Sequence, residues 1–74
     1  MIKSFQEWIK TQTERNDTVG RLARDVSADE RAPGGPWKAN WLDYLVLRNA
    51  GLGAMAAFEA AWDEYAVLFL DKYR

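Results

Sequence analysis

The chain has no cysteine and no histidine among its 74 residues. Lack of cysteine excludes disulfides and thiolate chemistry, and lack of both excludes zinc sites built from Cys and His ligands. Without imidazole there is no His general base and no pH switch of the common kind. Proline and glycine are scarce, two and five residues, and most of them gather in Pro33-Gly34-Gly35-Pro36. No run of about 18 apolar residues could span a bilayer. The chain starts Met-Ile-Lys-Ser-Phe and passes straight into an amphipathic pattern with no apolar leader segment. Segments of strand period, internal repeats and low-complexity tracts are missing too. The expectation is a soluble cytoplasmic protein with no membrane partner.

What is present is apolar and aromatic. Hydrophobic residues make up 49% and aromatic residues 14%, with four Trp, the composition of a folded globule rather than a disordered tail. A single domain this short hides only about 60% of its unfolded surface, so each strong apolar residue counts. The net charge of −1 draws no nucleic acid by itself. Residues 1–38 hold seven Lys/Arg and six Asp/Glu, residues 39–74 three and five, an asymmetry too small to carry an argument.

Helical periodicity predicts four helices, at about 4–14, 17–29, 38–49 and 53–72. Ser4 and Glu7 have the spacing of a capping box, followed by Phe5, Trp8 and Ile9 on one stripe. Asp17 is an N-cap for a second helix with Val19, Leu22, Ala23 and Val26 on one face. Gly20 costs about 1 kcal/mol relative to Ala there, and close approach of another helix is its expected reason. The Glu30–Pro36 connector cannot be helical. The third helix is apolar on most sides, with Trp41, Leu42, Tyr44, Leu45, Val46 and Leu47. It ends at Asn49-Ala50-Gly51, where Gly51 is expected in the left-handed region.

The last helix is the organising element. Phe58, Trp62, Tyr65 and Phe69 recur at i, i+4, i+7 and i+11, with Met55 on the same face and Ala54, Ala61 and Leu68 beside it. Glu59, Asp63 and Glu64 face away. Val67 and Leu70 continue the charged stripe, where apolar side chains are out of place.

In order along the chain, Ser4-Phe5, Trp8, Gln12, Arg15, Asp17, Gly20, Leu22-Ala23, Asp25, Pro33, Tyr44-Leu45, Ala57-Phe58, Ala61-Trp62 and Tyr65 resemble the small bacterial YozE-like family. The resemblance covers nearly the whole chain through the order and spacing of individually weak motifs. It implies an all-α, compact four-helix bundle like the sterile alpha motif fold, and no established activity or cofactor. Where that family tends to have Phe before the proline of the connector, this chain has Ala32. Trp37 and Trp41 follow shortly after, and one of them is expected to fill the space.

Candidate chemistry is thin. Glu59 and Asp63 at i, i+4, with Glu64 adjacent, offer too few oxygen ligands for a hard cation and read as a solvated face. Pro33-Gly34-Gly35-Pro36 and Gly51-Leu52-Gly53 lack the Gly-Lys-Ser/Thr of a phosphate loop and read as turns. Arg21, Arg24, Arg31 and Lys38, with Trp37, are the one basic-plus-aromatic grouping and the candidate nucleic-acid face. Interleaved Asp17, Asp25, Asp29 and Glu30 favour a solvated face instead. Trp37, Trp41, Tyr44, Val67 and Leu70 are surplus to the core pattern and form the candidate interface. The expected function is a non-enzymatic module for protein association or self-association, without catalytic residues, metal or cofactor. A nucleic-acid-binding module is the alternative.

Overall fold

In a computed structural model, which describes residues 3–35 and 37–70, the first two helices start at the side-chain caps their sequence supplies. Ser4 Oγ accepts from the Glu7 backbone N–H at 3.2 Å while Glu7 Oε1 accepts from the Ser4 N–H at 3.2 Å. This capping box opens α1, Phe5–Ile9. The helix then tightens into a 3-10 turn at Lys10–Gln12, a usual way for a helix end to satisfy its last carbonyls. It closes two residues before the predicted end, and Arg24 binds the turn that follows: its Nη1 donates to the carbonyls of Thr13 and Arg15 at 2.7 and 3.0 Å.

Asp17 caps α2, Thr18–Ser27, by accepting from the Gly20 N–H at 2.9 Å. Gly20 has an ordinary helical backbone, so its role is space. A Cβ there would lie 2.1 Å from the Arg15 carbonyl oxygen. The close neighbour is therefore the backbone of the α1–α2 turn, not another helix.

Helix α3, Lys38–Leu47, ends in a Schellman arrangement. Asn49 N–H binds the Val46 carbonyl and Ala50 N–H the Leu45 carbonyl, both at 3.0 Å. Asn49 takes the left-handed backbone at φ 58°. Gly51, expected there from sequence, is extended with ψ 175° and caps the N-terminus of α4, Leu52–Tyr65. Asparagine tolerates the left-handed region well enough to make a glycine unnecessary.

The core gathers on α1 rather than on α4 alone. The fully buried Phe5 ring meets Trp8, Trp41, Phe58, Trp62 and Tyr65, with centroids 5.0 to 5.7 Å away. Most of these contacts are tilted or edge-on, the arrangement favoured by ring quadrupoles. Of the two tryptophans near the connector, Trp41 enters this cluster and stacks on Phe58, while Trp37 stays outside. Helix α2 packs closely on α4, and the small side chains Ala23 on α2 and Ala57 and Ala61 on α4 are buried. Helix α3 stands further off and reaches the core through Trp41, Tyr44 and Leu45.

Beyond Tyr65 the helix widens into a π turn over Ala66–Leu70. An α-helix rotates each residue by about 100° and a π turn by about 85°. Counted from buried Tyr65, the slower rotation moves Leu68 from about 60° to about 105° off the core direction, and brings Leu70 from about 140° to about 65°. Leu68 is accordingly exposed and Leu70 half-buried against the core, the reverse of the straight-helix expectation. Residues 71 and 72 of the predicted fourth helix lie outside the described residues.

Candidate interaction surface

The exposed side of α4 carries Glu59, Asp63 and Val67 at helical spacing. Glu59 to Val67 spans eight residues, about 12 Å of helix. At its start the Lys38 ammonium meets Glu59 Oε1 at 2.6 Å, which brings the N-terminus of α3 alongside. Trp37, the residue before Lys38, is 67% exposed, and Val67 and Leu68 are 66% and 61% exposed. The surface thus has an exposed ring near one end, two aliphatic side chains at the other, and carboxylates between.

Glu64 leaves this surface for Arg15. The Arg15 guanidinium binds both Glu64 oxygens at 2.8 and 3.0 Å and Asp17 Oδ2 at 2.6 Å. Hydrogen bonds to Glu64 and then Asp17 raise the Arg15 pKa. The Asp17 carboxyl is held below its ordinary value by Arg15 first and by the Gly20 N–H second. The α1–α2 turn is thereby pinned to the far end of α4. The three carboxylates of α4 do not converge: Lys38 holds Glu59, Arg15 holds Glu64, and Asp63 lies between them.

Two predicted interface residues belong to the core. Trp41 is fully buried and the Tyr44 ring is buried too. The physical reason is the aromatic demand of a small core: α3 stands off from its neighbours, and only large side chains bridge the gap. A third, Leu70, is drawn half inside by the π turn. Trp37 and Val67 are exposed as expected.

Tyr44 also organises the polar margin between the connector and α3. Its hydroxyl donates to Asp29 Oδ2 at 2.6 Å, and Arg48 Nη1 donates to that hydroxyl at 2.7 Å. The other Asp29 oxygen accepts from the Arg31 N–H at 2.9 Å. These bonds, Tyr44 first, hold the Asp29 carboxyl below its ordinary value. Burial, then the hydrogen bond to Asp29, pushes the Tyr44 phenol up. The trio forms part of an open groove of about 650 Å³ whose other walls are Arg31, Pro33, Gly34, Gly35, Asn40, Asp43 and Leu47. Salt-bridged and hydrogen-bonded as they are, these groups make a fixed hinge between connector and helix.

The four basic residues face four different neighbours. Arg24 caps the α1–α2 turn, and Lys38 holds Glu59. Arg21 lines a cleft with Thr18, Asp25, Gly53 and Ala54, while Arg31 lines the connector groove. No single basic face results, because two of the cations are spent inside the fold's own polar network.

Sequence reasoning missed four exposed residues: Val46, Leu47, Leu52 and Leu68. The first two were visible in the all-round apolar pattern of α3. Leu52 opens α4, before its core stripe begins. Leu68 carried no signal, since its exposure follows from the π turn.

The family model described as YozE SAM-like fold matches residues 4–67. No curated protein and no solved structure matches the chain.

Proposed function

The chain belongs to the YozE SAM-like fold family, and from its exposed apolar side chains we infer that it is a non-enzymatic cytoplasmic module that binds a protein partner or a second copy of itself. The start of α3 and the end of α4 carry the contact. One observation supports this reading above the rest: Trp37, Val67 and Leu68 lie in water although fourteen apolar residues among those described are buried in the core. Exposed apolar groups of this kind are the ordinary material of interfaces. The absence of cysteine is in keeping with a reducing compartment. Among the described residues no helix is long and apolar enough to cross a membrane.

Light scattering over a wide concentration range, together with affinity capture of the tagged protein with and without nuclease, tests the reading. A mass that rises with concentration, or a protein partner retained after nuclease, is the expected result. A strict monomer whose captured material vanishes with nuclease would sink it. Binding of a generic oligonucleotide that weakens steeply with salt would put the nucleic-acid alternative in its place.

A further inference from the structure

The end of α4 has a chemistry that specifies more than an apolar contact. Every charged residue from Leu52 to Leu70 is acidic. Lys38 and Arg15 already engage Glu59 and Glu64. Asp63 is exposed, makes no ion pair among the described residues, and sits one turn before Val67. The π turn then adds Leu68 to the surface. Such π turns are rare and recur at functional positions. The product is an exposed aliphatic pair with a carboxylate at its edge that has no cation partner among the described residues, and Asp63, Glu64, Val67 and Leu68 together line a shallow depression.

Resting on the reading of this chain as an interaction module, we propose that this depression docks an amphipathic helix of a partner protein, whose apolar side chains cover Val67 and Leu68 and whose Lys or Arg pairs with Asp63. Complementarity selects this occupant. An acidic segment would be repelled by Asp63, and a basic segment without apolar side chains would leave Val67 and Leu68 in water. The i, i+4 relation of Asp63 and Val67 is met by a partner helix carrying its cation and its apolar group one turn apart.

The test titrates the isotope-labelled full chain with a blocked helical peptide of about 14 residues carrying Leu and Lys at i, i+4, and follows backbone amide shifts. Saturable shifts centred on Asp63, Val67 and Leu68 are expected. Leu68→Ser and Val67→Ser should each weaken binding about tenfold. Asp63→Asn should weaken it about threefold and flatten its salt dependence. A matched peptide with Glu for Lys should fail to bind, and circular dichroism should show each variant folded. The proposal is overturned if the shifts centre on Leu47 and Leu52, if both serine variants bind normally, or if the Glu peptide binds as well. It also falls if the peptide fails to bind and Leu68→Ser abolishes self-association, which would make the occupant a second copy. In each of these cases a partner or mass increase found by capture or light scattering leaves the interaction reading standing. Absence of any association removes both.

Discussion

Helices α1 and α2 keep their large apolar side chains inside, whereas Val46 and Leu47 on α3, Leu52 on α4, Val67 and Leu68 on the π turn that continues it, and Trp37 just before α3, lie in water. The two pairs are also joined differently. The α1–α2 turn is closed by backbone proximity at Gly20, by the Arg24 cap and by the Arg15 bridge to α4. Helix α3 is held at a distance by Trp41, Tyr44 and Leu45. Amphipathic helices with clean polar faces need no partner. The second pair has more apolar surface than this core can use, and the difference separates what folds the chain from what remains for binding.

The largest effect should come from the residue that joins both halves. Phe5→Ala removes the ring that touches five other aromatic side chains. A loss of about 3–5 kcal/mol is expected, a large fraction of the stability of a domain of this size. Urea denaturation should show a chain at least partly unfolded without denaturant. A loss below about 1 kcal/mol would mean that the two halves do not share one core.

Two glycines sharpen the comparison with opposite signs. Gly20→Ala drives a methyl group into the Arg15 carbonyl and should cost about 2 kcal/mol. Gly53 lies in the first turn of α4 with nothing within 4 Å of a Cβ. Gly53→Ala should therefore stabilise by about 0.5–1 kcal/mol. Denaturation midpoints of the two variants should move in opposite directions at unchanged slope. Movement in the same direction would contradict the view that only the α1–α2 turn is tightly fitted.

Sequence carried the fold well where side-chain chemistry is local. Ser4 with Glu7, and Asp17 with Gly20, name their hydrogen bonds in advance. The stripe from Phe58 to Tyr65 names its own buried face. It carried the interaction surface poorly, because exposure at the end of α4 depends on the helix changing pitch. Leu68 and Leu70 exchange roles across the π turn, and no wheel of constant angle can report that. Trp41 and Tyr44 failed for another reason. An apolar residue surplus to a one-stripe pattern is still core material when its helix stands off and needs long side chains to reach inward.

The polar hinge of α3 gives a smaller effect with a pH signature. Tyr44→Phe removes the donor to Asp29 and should cost about 1 kcal/mol at neutral pH. The Asp29 carboxyl lies below its ordinary value of 3.8 in the folded chain. Its contribution is therefore present above that value and lost as pH falls through the folded one. The Tyr44 and Tyr65 phenols are raised above 10.0, burial being the first cause in both. Their contribution is present below that value and lost as pH rises through the folded ones. Tyr44→Phe should shrink both losses in thermal melts across pH. On the acid side Asp17, depressed by Arg15, keeps part of the loss. An unchanged acid limb would show that the Tyr44 bond to Asp29 does not hold α3.

The smallest stability effects belong to the side chains in water, and they separate folding from binding most directly. Leu47 and Leu52 are 86% and 91% exposed. Leu47→Ser and Leu52→Ser should each change stability by no more than about 0.5 kcal/mol, since little area leaves water on folding at these positions, and Leu68→Ser, at a more covered position, by no more than about 1 kcal/mol. Leu68→Ser should nevertheless alter association, while Leu52→Ser, at the opposite end of α4, should not. Thermal melts and titration with the Leu/Lys helical peptide on the same three variants read both quantities. A destabilisation above about 1 kcal/mol at Leu68 would place it in the folding surface and erase the distinction between the two halves. Equal loss of association from all three would extend the binding surface along the whole of α4 and onto the α3–α4 corner.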